Sequence, residues 1–119
     1  MKYILVVDDS AELLESFQMI LTINGYACNG IMKEDEIFTA ITERKPDLIF
    51  LDIHLGGMDG REVCKRIKQH PASSDIPVIL TSGHEHKLKD YQQYQADGIL
   101  EKPFSLKDLL GVIKTSLPA

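Results

Sequence analysis

Short apolar runs and amphipathic helical patterns alternate five times along this chain of 119 residues, and this alternation constrains its fold more than any other feature. The apolar runs predict buried strands at 2–7, 26–30, 48–52, 76–82 and 99–101. Helical spacing of apolar side chains predicts helices from Ser10 to Asn24, at 34–44, 61–69 and 85–95, and from Ser105 to Leu117. Strand–helix repetition at this spacing predicts a parallel sheet with helices on both faces.

Composition narrows the class of protein. The length predicts a single domain over residues 1–119, and 44% hydrophobic with 26% charged residues is typical of a globular protein. The net charge of −5 argues against direct binding to nucleic acid and to anionic membranes. The apolar start is too short for a signal peptide, so we expect a cytoplasmic location. Met1 favours a natural N-terminus, and the chain could stand alone or belong to a longer protein.

Polar side chains follow four of the five predicted strands. Asp8 and Asp9 follow the first strand, Asp52 ends the third, Ser82 ends the fourth and Lys102 follows the fifth. Each alone could be a turn residue or a surface group, but the carboxyl ends of parallel strands meet at one edge of the sheet. Three clustered carboxylates repel one another, and a hard divalent cation relieves that repulsion, while a lysine suits phosphate. The set predicts a metal-assisted phosphoryl site.

Five motifs carry a resemblance to a known family. They are Val6-Val7-Asp8-Asp9-Ser10, Leu51-Asp52, Met58-Asp59-Gly60, Pro77-Val78-Ile79-Leu80-Thr81-Ser82-Gly83 and Lys102-Pro103-Phe104. With them the chain resembles the receiver domain of two-component response regulators, similar to the chemotaxis regulator, from Lys2 to about Leu117. The resemblance implies a doubly wound (βα)5 flavodoxin-like fold with a five-stranded parallel sheet in the order 2-1-3-4-5.

The resemblance also implies a role for each acid. Asp52 would be the phosphoacceptor, taking a phosphoryl group from a sensor histidine kinase or a histidine phosphotransfer domain. Mg²⁺, with Mn²⁺ as an alternative, would be bound by Asp9 directly, by Asp8 partly through water, by Asp52 and by the main-chain carbonyl of His54. The domain would then be a signalling phosphoacceptor that catalyses its own phosphorylation and dephosphorylation, and not an enzyme acting on other substrates.

Lys102 and Ser82 would respond to the phosphoryl group. Lys102 would pair with Asp52 at rest and with phosphate afterwards, and the Lys102–Pro103 peptide bond is expected to be cis. Counting from Pro77 favours Ser82 over Thr81 as the switch hydroxyl, with Thr81 pointing the other way. The helix at 85–95 has few apolar anchors, as a movable element requires. A downstream protein would bind the face made by that helix, the last strand and the last helix, and dimerisation stays open.

The chain departs from the family at a few positions. Ile99 stands where an aromatic residue often moves with the hydroxyl, so a phosphorylation-coupled aromatic flip in its usual form is not expected. Gly56 and Gly57 predict a mobile loop after Asp52. His54 and His84 occupy positions that tune self-hydrolysis in the family.

Three other functions compete with the phosphorylated receiver. A receiver-like module that works without phosphorylation would suit Ile99 and the glycine loop. A haloacid-dehalogenase-like phosphatase also uses an aspartyl nucleophile, but its acids are spaced Asp-x-Asp, whereas Asp8 and Asp9 are adjacent. A flavodoxin-like cofactor binder is disfavoured because the first loop is acidic where an anionic phosphate would lie.

Overall fold

The strands were located in a computed structural model, which describes residues 1–83 and 87–117. They are β1 (Tyr3–Val7), β2 (Ala27–Ile31), β3 (Leu48–Asp52), β4 (His54–Leu55), β5 (Met58–Asp59), β6 (Val78–Ser82) and β7 (Gly98–Glu101). Five of them form one sheet in the order β2-β1-β3-β6-β7, and every neighbouring pair in it is parallel. Counted among these five alone, the order is the predicted 2-1-3-4-5, so the doubly wound α/β fold is confirmed.

The described residues form four α-helices, and the first and the last of them begin directly after the serine predicted to start them. They are α1 (Ala11–Ile23), α2 (Ile37–Glu43), α3 (Gly60–Gln69) and α4 (Leu106–Ser116). Ser10 accepts a hydrogen bond from the Leu13 amide at the start of α1, and Ser105 with Asp108 forms a capping box at the start of α4. These side chains accept hydrogen bonds from amides that have no partner within the helix. They therefore stabilise the start of each helix at the residue that follows the serine.

Apolar side chains cover both faces of the sheet, as a parallel sheet requires. On one face Leu5, Ile49 and Leu80 pack beneath α2 and α3, and on the other Phe50 packs against Phe17 of α1, with ring centroids 5.3 Å apart. Alternate residues of one strand therefore serve different layers. This alternation fixes the register of the sheet and, with it, the position of the polar residues at the strand ends.

The predicted helix at 85–95 is wrong over the residues that the structure describes. Residues 88–90 form turns, and a short 3-10 helix covers Tyr91–Tyr94. Leu88 is buried but its neighbours are exposed or half-buried, so the segment offers too narrow an apolar stripe to stabilise a regular helix. Gln95 then takes a positive φ of 65°, which ends the 3-10 turn. The predicted first residue, Glu85, lies outside the described residues.

Gly56 and Gly57, where a mobile loop was expected, form a tight turn, and the mobility itself stays a prediction. Gly56 and Gly57 join β4 to β5 as the two-residue turn of an antiparallel hairpin, with φ values of 50° and 95°. A two-residue turn with positive φ at both positions matches the twist of the strands beside it, and glycine adopts those angles without a Cβ clash. The glycines therefore build a defined turn next to Asp52.

None of the helices in the part of the chain that the structure covers combines the length and the apolar composition of a transmembrane span. Both cysteines are free thiols, Cys64 buried and Cys28 half-buried. Burial raises the pKa of Cys28 to about 11 and that of Cys64 to about 12, so both stay protonated at neutral pH.

Candidate functional site

Three carboxylates meet at the carboxyl edge of the sheet. Asp8 and Asp9 follow β1, and Asp52 is the last residue of the adjacent strand β3. One oxygen from each lies within 4.8 Å of those from the other two. Asp8 and Asp52 are only 2% and 4% exposed, whereas Asp9 is exposed. The sequence prediction that these acids lie together is therefore confirmed, and together they form a half-buried anionic cup.

Lys102 reaches into this cup from the end of β7. Its ammonium lies 2.8 Å from Asp8 Oδ2 and 3.6 Å from Asp52 Oδ2. The expectation that it pairs with Asp52 at rest is therefore only partly met, because the shorter contact is with Asp8. The second Asp8 oxygen accepts a hydrogen bond from the Ser10 amide at 2.9 Å. Asp8 is thus the better satisfied of the two buried acids.

The negative charge of Asp52 is poorly stabilised by its surroundings. Burial raises the pKa of its carboxyl, and the nearby Asp8 charge raises it further, while Lys102 and the His54 amide act in the opposite direction. That amide donates to Asp52 Oδ1 over 3.3 Å, a long hydrogen bond. One lysine cannot neutralise three carboxylates, so the site has a shortage of positive charge centred on Asp52.

The backbone of Asp52 is fixed by a glycine whose role the sequence did not reveal. The Gly60 amide donates to the Ile53 carbonyl at 2.6 Å, and a Cβ at Gly60 would collide with the Asp52 carbonyl oxygen. Only glycine fits there. Asp59, the residue before it, caps α3 by accepting a hydrogen bond from the Arg61 amide. The close approach depends on the tertiary fold and leaves no local signal beyond the glycine itself.

Two hydroxyls lie at the end of β6. Ser82 and Thr81 are both buried, and the strand register pairs Thr81 with Asp52. The Ser82 carbonyl accepts the Lys102 amide at 2.8 Å, so Ser82 is joined directly to the residue that carries the site's cation. The Lys102–Pro103 peptide bond is cis, as predicted. The assignment of Ser82 as the switch hydroxyl stays a prediction.

Two of the predicted switch and tuning positions, His54 and Ile99, lie among the described residues. The His54 ring is exposed, and its Nε2 lies 3.5 Å from the ammonium of Lys87, a contact that the sequence did not predict. Ile99 is 38% exposed on the edge strand β7. His84 lies outside the described residues. The main-chain carbonyl of His54 as a metal ligand stays a prediction.

A doubly wound parallel sheet with an acidic cup and a lysine at its carboxyl edge defines a class, that of the receiver domains. A family model described as the response regulator receiver domain matches residues 4–114. The chain belongs to that family of two-component signalling proteins.

Several known proteins are similar to the chain. The phosphate regulon transcriptional regulatory protein PhoB of Pseudomonas aeruginosa is 36% identical over 118 residues, which are 98% of this chain and 52% of PhoB. The DNA-binding response regulator MtrA of Mycobacterium leprae is 32% identical over 96% of this chain and 50% of its own length. The chain spans about half the length of these curated relatives.

Solved structures show the same fold. The receiver domain of NtrX from Brucella abortus has a TM-score of 0.84 at 33% identity and covers 96% of this chain, with 97% of that domain matched. The chemotaxis protein CheY4 of Vibrio cholerae has a TM-score of 0.89 at 24% identity, with 98% of this chain and 99% of CheY4 matched. At that identity the second likeness supports the fold alone.

Proposed function

We propose that this receiver domain accepts a phosphoryl group on Asp52 in a Mg²⁺-dependent reaction, and that phosphorylation switches a partner-binding surface. One observation carries the proposal: three carboxylates cluster at the carboxyl edge of the sheet, and a single lysine contacts the two of them that are buried. Such crowding costs folding energy, and a cation offsets that cost. The donor would be a phosphohistidine of a sensor histidine kinase or a histidine phosphotransfer domain, and the compartment would be the cytoplasm, where ATP supplies such donors.

The donor set fits a hard divalent cation. Asp8, Asp9 and Asp52 offer carboxylate oxygens close enough to share one ion, and hard cations prefer oxygen ligands. Mg²⁺, with Mn²⁺ as an alternative, would be bound by these oxygens and by the His54 carbonyl. Bound there, the ion would supply neutralising charge for the transferring phosphoryl group.

The chain's own groups would then carry the transfer. An Asp52 oxygen attacks phosphorus, the bond from phosphorus to the donor's imidazole nitrogen breaks, and the electron pair leaves with the histidine. Lys102, already within 3.6 Å of Asp52, would move from Asp8 to a phosphoryl oxygen. Ser82 would donate its hydroxyl to another. Hydrolysis by water would restore the Asp52 carboxylate, and the domain would thus act on its own phosphoryl group, with no second substrate.

The partner of the switched surface would be a protein. The net charge of −5 disfavours DNA as a direct ligand of these residues, although MtrA as a whole is DNA-binding. We place the docking face at residues 87–95, β7 and α4, because these elements adjoin Lys102 and Ser82. The same face could join two copies of the chain, so dimerisation is part of the proposal to be tested.

The test is phosphoryl incorporation from acetyl phosphate, followed by intact-protein mass. Wild type with Mg²⁺ is expected to gain one phosphoryl group, and to gain none with EDTA. Asp52→Asn should gain none in either condition. Asp47→Asn is the matched control, because Asp47 lies at the opposite edge of the sheet, where it accepts a hydrogen bond from the Tyr3 amide. Incorporation that persists in Asp52→Asn, or its absence in wild type with Mg²⁺ bound, would contradict the proposal.

A further inference from the structure

An arginine outside the acidic cup joins two segments that border it. Arg61, in the first turn of α3, makes a two-pronged ion pair with Asp59, from Nε to Oδ1 at 3.1 Å and from Nη2 to Oδ2 at 2.8 Å. Its third nitrogen, Nη1, lies 3.5 Å from Asp90 Oδ1, and the guanidinium lies 5.1 Å from the centroid of the Tyr94 ring. The Arg61 side chain is 20% exposed. We call this group, Arg61 with Asp59, Asp90 and Tyr94, the Arg61 bridge.

Arg61 binds Asp59 more firmly than it binds Asp90. The Asp59 side has three short hydrogen bonds from the guanidinium and a fourth from the Arg61 amide, and the arginine lowers the pKa of Asp59. On the other side, Asp90 Oδ1 is shielded from solvent and accepts no hydrogen bond from any residue that the structure describes. An ion pair at 3.5 Å only partly offsets the desolvation of that oxygen. The contact of Arg61 with the segment that carries Asp90 is therefore weaker than its contact with Asp59.

The firm side of the Arg61 bridge leads back to the phosphoacceptor. Asp59 pairs with His54 in the β4–β5 hairpin, and the His54 amide donates to Asp52 Oδ1. Gly60, between Asp59 and Arg61, packs against the Asp52 carbonyl. Lys87, at the start of the same weakly held segment, contacts the His54 ring at 3.5 Å. A change at Asp52 that shifts His54 or Gly60 therefore shifts the anchor of the Arg61 bridge as well.

We propose that Arg61 is a positioning residue that holds residues 87–94 in their resting, non-helical conformation and couples that segment to phosphorylation of Asp52. This coupling rests on the proposed function. It needs no aromatic side chain at Ile99, because the path runs through the hairpin and α3 and not through β7. The weakly held segment is the bistable element that a phosphoryl switch requires.

Amide hydrogen exchange followed by NMR, with and without Mg²⁺ and beryllofluoride as the phosphoryl analogue, tests the coupling in the whole chain. In Arg61→Ala without the analogue, the amides of residues 87–95 are expected to exchange at least roughly tenfold faster than in wild type, while core amides of β1 and β3 are unchanged. The beryllofluoride concentration at half-saturation should fall about fivefold, because the resting state is no longer favoured. A merely structural role would not tighten that binding.

Three further variants make the test specific. Arg66→Ala is the matched control, because Arg66 lies on the same helix but pairs with Glu34 on the exposed surface. It should change neither readout. Arg61→Lys should resemble Arg61→Ala, because one ammonium cannot bridge Asp59 and Asp90 together. Asp90→Asn should share the effect in part, and the double variant Arg61→Ala/Asp90→Asn should add nothing to Arg61→Ala.

Unchanged exchange at 87–95 in Arg61→Ala would overturn the proposal, as would an equal effect in Arg66→Ala. Faster exchange with an unchanged or weaker beryllofluoride midpoint would overturn the coupling and leave only a local contact. If the wild type binds no beryllofluoride, both the coupling and the proposed function are overturned. Faster exchange in Arg61→Ala would then still show that Arg61 holds the segment, so the fault would lie in the role proposed for Asp52.

Discussion

The two edges of the sheet use the same residue types in opposite ways. At the amino edge, Asp97 accepts hydrogen bonds from the Val78 amide at 2.8 Å and from the Lys68 ammonium at 2.9 Å. Asp47 accepts one from the Tyr3 amide at 2.8 Å. At the carboxyl edge, the carboxylates of Asp8, Asp9 and Asp52 face one another, and Lys102 contacts Asp8 and Asp52.

The difference separates stability from chemistry. A carboxylate that accepts hydrogen bonds from backbone amides and from a lysine is stabilised in its charged form, and it holds a strand end in place. Carboxylates that face each other destabilise their charged forms, and a bound cation relieves that repulsion. The amino edge therefore stabilises the fold, and the carboxyl edge is where we propose the reactive site.

The largest effect on stability is expected at the amino edge. Asp97→Ala removes the acceptor of two hydrogen bonds and leaves Lys68, whose side chain is only 12% exposed, with the Ile76 carbonyl as its other partner. We expect the free energy of unfolding to fall by about 2 kcal/mol. Urea unfolding measures it, and phosphoryl incorporation should be retained once the variant is folded.

Asp75→Ala is the control for that variant. Asp75 pairs with Lys45 on the surface, with side chains 69% and 53% exposed, and such pairs contribute little. Its unfolding midpoint should stay at the wild-type value. An equal loss of unfolding free energy in Asp97→Ala and Asp75→Ala would contradict the claim that the amino edge contributes more to stability than an ordinary surface ion pair.

The next effect concerns the hydroxyls at the end of β6. Ser82→Ala should weaken beryllofluoride binding roughly tenfold, because it removes a hydrogen bond to a charged group. Thr81→Val, which keeps the shape of a side chain that the register pairs with Asp52, should leave binding unchanged. If Thr81→Val weakened beryllofluoride binding more than Ser82→Ala does, the switch hydroxyl would be that of Thr81.

A smaller effect is expected when the acceptor itself is neutralised. Because burial and Asp8 raise the pKa of Asp52 in the fold, its contribution to stability is fully present below its unfolded pKa and is lost as pH rises through the folded pKa. In EDTA, Asp52→Asn should match wild type at acid pH and exceed it by roughly 1 kcal/mol at neutral pH. Urea unfolding across that range measures the difference. A variant less stable than wild type at neutral pH would show that the Asp52 charge is well satisfied.

Much of this could be predicted from the sequence because the signals are local or follow from topology. Apolar runs fix the strands, Ser10 and Ser105 mark helix starts, and parallel strands bring Asp8, Asp9 and Asp52 to one edge. The failures need tertiary information. Too narrow an apolar stripe made residues 87–95 turns and a 3-10 helix, and the hairpin turn at Gly56 and Gly57 depends on the pairing of β4 with β5.

The charges at the site show the same limit. The sequence predicted that Lys102 would reach the acids, and the structure places it closer to Asp8 than to Asp52. Which acid Lys102 contacts depends on a difference of about 1 Å between two distances and on the hydrogen bond from the Ser10 amide to Asp8. No pattern of residue types in the sequence encodes such details. The Arg61 bridge is similar, because Arg61 and Asp90 are far apart in sequence and meet only through the tertiary fold.

The measurement that tests the central claim most directly is thermal unfolding of the metal-free protein over a Mg²⁺ titration. The account predicts that Mg²⁺ raises Tm of wild type and of Asp47→Asn alike, with about 2.7 kcal/mol of stabilisation at 100 times Kd. The rise should be lost in Asp9→Asn/Asp52→Asn, which leaves the amino edge intact. No rise in wild type, or an equal rise in the double variant, would contradict the claim that the crowded carboxyl edge is a cation site.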